Sequence, residues 1–179
     1  MSDTFHVGDH VTWNSEAGWV TGRIIAVHTA NVEYKGYTHH ATPDQPQYEI
    51  KSDKTDHIAL HKGSALRMLE DSTVRIPDDA IIPREKLKDY LLTPRRRNDK
   101  SGFLAQAGFT QENPDQLELA IRQFIAENDA ISDRLNEYGT FYRVEGELYG
   151  PDATLLTVTI WLQTAVDNRF RFVTLKPAR

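Results

Sequence analysis

Trp19-Val20-Thr21-Gly22-Arg23-Ile24-Ile25-Ala26-Val27-His28 decides how the first part of this chain folds. The stretch alternates roughly between apolar and polar residues and is rich in β-branched side chains, which predicts a strand. Gly22 falls near its middle. A glycine inside a strand marks a sharp bend or bulge, the feature a small closed sheet needs where a strand turns its corner.

Working outward, Phe5, Val7, Val11 and Trp13 leave polar neighbours between them and predict a strand before the turn cluster Asn14-Ser15-Glu16-Ala17-Gly18. Downstream, Asn31-Val32-Glu33-Tyr34-Lys35-Gly36-Tyr37 and Gln47-Tyr48-Glu49-Ile50-Lys51 supply further strands, separated by Pro43-Asp44-Gln45-Pro46. Five short strands with a bent second one fit an all-β barrel of the SH3-like or Tudor-like kind. These runs, and above all Tyr48-Glu49-Ile50-Lys51-Ser52-Asp53-Lys54-Thr55-Asp56-His57-Ile58-Ala59 with His61-Lys62-Gly63, resemble the hypervirulence-associated TUDOR-domain family across residues 1–70. The resemblance implies a fold and a binding role, with no catalytic residues to carry over.

Tudor barrels that bind methylated side chains use an aromatic cage, because ring faces attract an ammonium. Trp13, Trp19, Tyr34, Tyr37 and Tyr48 are the candidates here, against the plainer reading that they fill a core and pair across strands. All seven histidines lie within residues 6–61. His57 and His61 are four apart, but no glutamate follows His57, so the His-Glu-x-x-His pattern is missing. Alternation with Ile58 and Leu60 predicts a strand with both histidines on its polar side. No metal and no cofactor is expected.

Residues 71–78 are polar, contain Pro77 and lack a sustained period, so a linker is placed there, between a domain at 1–70 and another at 79–179. The second domain begins with helical patterns. Pro83 suits a first helical turn, with Leu87, Tyr90 and Leu91 on one face before Pro94 ends the helix. Ser101 caps a short helix holding Phe103, Leu104 and Ala107, closed by Gly108. Asn113-Pro114 with Gln116 opens a third helix carrying Leu117, Ala120, Ile121, Phe124 and Ile125. A further short helical stretch is expected around Ala130–Glu137.

From Gly139 the pattern changes to period two. Tyr142, Val144 and Leu148 share one face of a strand, and Leu156, Val158, Ile160 and Leu162 one face of the next, so these two sets are expected to pack on the helices. Arg143, Glu145, Thr157, Thr159, Trp161 and Thr174 are then expected on the open face. With Phe170-Arg171-Phe172-Val173-Thr174-Leu175 this makes an antiparallel meander of three strands or more after helices, an α+β domain.

Between the first two helices lies Thr93-Pro94-Arg95-Arg96-Arg97-Asn98-Asp99-Lys100, the one concentrated positive charge in a chain of net charge −5. Seven basic side chains face ten acidic ones in residues 1–75 and fourteen face sixteen in the remainder, so neither part is basic as a whole. A general nucleic-acid coat is thereby excluded, whereas a local polyanion contact through Arg95, Arg96, Arg97 and Lys100 is not. The plainer alternative is a solvated turn whose arginines pair with nearby acids.

The order of the helix up to Leu92, the loop with Lys100, Gly108-Phe109-Thr110, Tyr138-Gly139-Thr140-Phe141-Tyr142, Val158-Thr159-Ile160-Trp161 and Phe172-Val173-Thr174-Leu175 resembles an uncharacterised bacterial domain that also ends polymorphic toxins. Helices followed by an antiparallel sheet are also similar, at the level of fold, to barnase-like toxin ribonucleases. The toxin-borne versions carry a histidine and a glycine where this chain has Arg95–Asn98; Lys100 matches and the histidine does not. Since residues 76–179 contain no histidine, RNA cleavage here would need Glu145 as base with Arg143 and Lys100 stabilising the phosphorane.

No cysteine is present, which excludes thiolate chemistry and disulfides. No stretch approaches the roughly 18 apolar residues of a membrane span, and Met1–His6 lacks the pattern of a signal segment. The expectation is a cytoplasmic, bacterial, non-enzymatic binding protein whose partner is RNA or another protein. A ribonuclease-like enzyme and a pure protein-interaction module are the alternatives.

Overall fold

The structure is a computed structural model describing residues 4–16 and 18–179; Met1–Asp3 and Ala17 of the expected turn lie outside the described residues. The chain is mostly β and divides into two compact units, 1–71 with 134–136, and 72–133 with 137–179.

The first unit is built on five antiparallel strands, β1 His10–Ser15, β2 Gly18–His28, β5 Gln47–Ser52, β6 Ile58–Lys62 and β7 Arg67–Met68, which form one sheet in the order β6-β5-β2-β1-β7. β2 is the long strand that the sequence predicts, and it pairs with β1 along one edge and β5 along the other. The bulge sits between Ile24 and Ala26 rather than at Gly22. Gly22 instead permits a close approach. A Cβ there would lie 2.3 Å from the Lys51 carbonyl oxygen of β5, so only glycine admits the neighbouring backbone. Phe5 is buried in the core with Val11, Trp13, Ile24, Tyr48, Ile50 and Leu66, yet lies ahead of the strand, and Val7 is exposed. β1 starts only at His10 because the chain first turns at Gly8, whose amide donates to the Ile24 carbonyl.

The run 31–37, expected as one strand, is a hairpin of β3 Val32–Tyr34 and β4 Tyr37–His39 standing apart as its own two-stranded sheet. Lys35 and Gly36 both take positive φ, 49° and 83°, the pair of conformations that a tight two-residue hairpin turn demands. His10 ties the ends of the unit together: its ring nitrogens lie 2.6 Å from carboxylate oxygens of Asp53 and Asp71, and Arg23 donates to Asp71 at 2.6 Å.

A second five-stranded sheet is made of β8 Thr73–Val74, β9 Ala130–Asn136, β10 Gly139–Tyr149, β11 Thr154–Thr164 and β12 Phe170–Pro177 in the order β12-β11-β10-β9-β8, and belongs to the second unit apart from residues 134–136 at the end of β9. Residues 71–78, read from composition as a linker, thus supply strand β8 and the buried Ile76. The stretch expected as a helix around Ala130–Glu137 is strand β9, held between β8 and β10, where sheet pairing overrides local propensity.

The helical segments are a π-helical turn Lys86–Leu91, α1 Ser101–Ala105 and α2 Pro114–Glu127. The first is closed by the Leu92 amide donating to the Leu87 carbonyl at 2.9 Å, five residues back. Asn113 stands at the cap of α2 with Pro114 behind it, but its side chain serves the preceding loop, accepting from the Thr110 amide at 2.7 Å and donating to the Gly108 carbonyl. Leu87, Leu91, Leu104, Leu117, Ile121, Phe124 and Ile125 join one core with Tyr142, Val144, Leu148, Trp161, Phe172 and Leu175 from the sheet.

One expected face is inverted. Tyr142, Val144 and Leu148 do face the helices, but their partners across β11 are Trp161, Thr159 and Leu155. Thr157, Thr159 and Trp161 are therefore fully buried, while on the other face Leu156 is 63 % exposed, Ile160 and Leu162 are half-buried, and Val158 is buried but outside the core that holds the helices. Their polar atoms need no water, since the Trp161 indole N–H donates to Thr159 Oγ1 at 2.8 Å and Thr157 Oγ1 donates to the Leu155 carbonyl at 3.0 Å. This assignment makes a clear prediction for denaturant unfolding. Trp161→Ala should cost about 3–5 kcal/mol, and Leu156→Ser should stay within about 0.5 kcal/mol. The reverse order would put the helices on the other face.

Candidate functional site

Two places concentrate chemistry, one in each unit. In the second unit, Pro94–Lys100 leaves the π-helical turn and enters α1 as an exposed loop. Asn98 at φ 54° bends it back. Arg95 is the anchored member: its guanidinium lies 4.6 Å above the Tyr90 ring and donates to the Asp89 carbonyl at 3.1 Å. Arg96 and Arg97 are exposed, and among the described residues none of Arg95, Arg96, Arg97 and Lys100 forms an ion pair with an acid.

Asp99, the acid within the loop, is engaged locally. The Ser101 hydroxyl and amide both donate to its Oδ1, at 2.7 and 2.9 Å, and these bonds hold its carboxyl below the usual carboxylate range. Its charge is directed at the start of α1 and not at the guanidinium groups. Alongside, Leu92, Pro94, Ser101, Gly102, Ala105 and Phe109 line a shallow cleft of about 460 Å³.

Glu145 and Arg143 do not join this loop. Both project from the face of β10 opposite Tyr142 and Val144, whereas the helices flanking the loop pack on the Tyr142 face. They pair with each other, the Arg143 guanidinium donating to a Glu145 carboxylate oxygen, and both are about half exposed. No hydrogen bond or cleft among the described residues connects either to Lys100.

The second place is a cleft of about 490 Å³ in the first unit, lined by Trp13, Trp19, Lys54, His57 and His61 with largely apolar walls. Of the five aromatic residues singled out in the sequence, Trp13 and Trp19 are the two that meet here. Tyr48 is a core residue, 1 % exposed, whose hydroxyl accepts from the Phe5 amide. Tyr34 is fastened by its hydroxyl donating to the Ile58 carbonyl at 2.5 Å, and Tyr37 stands exposed at the hairpin end.

The sequence reading missed that His57 and His61 belong with the tryptophans. Their even spacing in an alternating run is the available signal, since it puts His57, just ahead of β6, on the same side as His61 within it. That side is a wall of the cleft: the His61 ring lies 5.6 Å from Trp13 at 44°. On the first unit's surface, the Arg67 guanidinium lies 5.1 Å over the Trp19 ring. Among the described residues no three His, Asp or Glu side chains gather as a metal site.

A five-stranded antiparallel sheet with a single bulged long strand, bearing an aromatic cleft, makes the first unit a Tudor-like domain. Residues 8–66 match the family model for the TUDOR domain of hypervirulence associated proteins. Residues 75–179, more than half of the chain, match the model for the domain of unknown function DUF6883, and the chain belongs to that family. Neither a curated protein nor a solved structure matches it. No helix is long and apolar enough to cross a membrane.

His61 gives the first unit a pH dependence. Burial, and then the charge of His39, lower its pKa below 6.5. The unfolded chain therefore binds a proton first, so this contribution to stability is complete above 6.5 and is lost as pH falls through the lowered folded value. Unfolding midpoints of the first unit should drop on mild acidification, and His61→Gln should flatten that drop.

Proposed function

We propose that this chain is a non-enzymatic bacterial binding protein of the cytoplasm that contacts RNA through Arg95, Arg96, Arg97 and Lys100. In this reading the first sheet closes as an SH3-like barrel, and the second unit is an α+β domain that presents the loop. The observation that carries it is the electrostatics of the loop. Its four cations have no acid of their own, and the neighbouring carboxylate of Asp99 is held by Ser101.

Unpaired guanidinium forks on an exposed turn suit phosphate oxygens, and they give a local attraction that the net charge of −5 would oppose elsewhere on the surface. Arg95, braced on Tyr90, sets the direction of the turn at low entropic cost. A ribonuclease finds less support, because Glu145 is neutralised by Arg143 and projects from the other face of the sheet.

The test is a mobility-shift titration of full-length protein with end-labelled single-stranded RNA across a range of salt. Replacing Arg95, Arg96 and Arg97 with glutamate should abolish the shift at moderate salt. The log–log salt slope should become shallower by about two, from roughly 0.7 per lost phosphate contact. Unchanged affinity would end the proposal in favour of a protein partner. Cleavage that survives repurification and vanishes in Glu145→Gln would replace it with the enzyme.

A further inference from the structure

From the cleft in the first unit we infer that Trp19, His57 and His61, over a floor formed by the buried Trp13, receive an unstacked base of single-stranded RNA. The inference takes its polymer from the reading of the basic loop and adds a site that the loop does not contain. Its basis is shape and charge. The walls are flat rings, and about 490 Å³ is within the range of pockets that enclose one small ligand. The Trp19 indole and the His57 and His61 imidazoles offer stacking surface to a planar heteroaromatic ring, with the buried Trp13 behind them as a floor, and such stacking tolerates any base.

Charge decides against the other occupant that aromatic walls attract, an alkylated ammonium. Lys54 and Arg134 line the cleft, and the Arg67 guanidinium already covers a face of Trp19 at 5.1 Å. Glu16 is the acid on the lining. A cation would enter against Lys54 and compete with Arg67 for the Trp19 quadrupole, whereas a neutral base attached to a phosphate gains from both. The neutral form of His61, favoured by its burial, leaves one ring nitrogen free to accept and one to donate, a match for the edge of a base.

Intrinsic tryptophan emission of the full chain reads this directly, because Trp161 and Trp13 are buried in the cores of their units and Trp19 is the tryptophan that a base in the cleft can reach. The probes are a short oligoadenylate and a trimethyllysine peptide. Oligoadenylate should quench, and in a mobility shift Trp19→Ala should weaken its binding roughly ten- to hundredfold without altering the salt slope, since stacking and phosphate contacts are separate. Trp19→Phe should restore most of the affinity, which a mere folding defect in Trp19→Ala would not explain.

Oligoadenylate binding with no quenching, and equal affinity in Trp19→Ala, overturns the cleft and leaves the loop reading intact. Quenching that is unchanged when the three arginines become glutamates supports the cleft and overturns the loop. Quenching by the trimethyllysine peptide alone, or by neither probe, overturns the inference.

Discussion

The second unit depends on one hydrogen bond in its core, the Trp161 indole N–H to Thr159 Oγ1 at 2.8 Å. Burying an indole without a partner would leave a donor unsatisfied, at a cost of about 1–3 kcal/mol. Thr159 removes that cost from within the same strand, two residues away on the same face. Trp161 can then lie edge-on to Phe172, ring centres 5.3 Å apart, and fill the space beneath the helices. Once this face of β11 is committed, β10 must turn Tyr142, Val144 and Leu148 the same way, and Arg143 and Glu145 are sent to the opposite side.

This interaction also explains where sequence reading went astray. The long strand β2, the Asn113-Pro114 start of α2 and the face of β10 were all legible, because periodicity and turn residues agree there. On β11 they conflict. Leu156, Val158, Ile160 and Leu162 are the more apolar set by residue type, but Thr157 and Thr159 satisfy their hydroxyls internally and so bury as readily as valines. Nothing local in Ala130–Asn136 announces that β9 is flanked by strands on both sides, so its sequence alone suggests a helix. The loop's basic residues were visible in the sequence; that Asp99 would be held by Ser101 was not.

The two candidate sites rest on different physics. In the loop, specificity is weak and attraction is long in range, governed by unpaired charge that salt screens. In the cleft, a contact would be short in range and governed by ring surface and by His61, which the fold keeps partly dry. A Tudor-like domain and a DUF6883 domain thus meet in one chain, each with its own candidate site.

The π-helical turn Lys86–Leu91 accommodates one residue more than an α-helix would in the same closure, and it ends where the basic loop begins. Trimming that extra residue would leave Leu87 and Leu91 able to find the core, yet would swing everything after it by about 100° around the helix axis, at 3.6 residues per turn. The aim of the arginines is therefore encoded upstream of them, in a length of chain that carries no positive cluster of its own. Two relatives with identical loops but different helix closures would point the same charges at different surroundings.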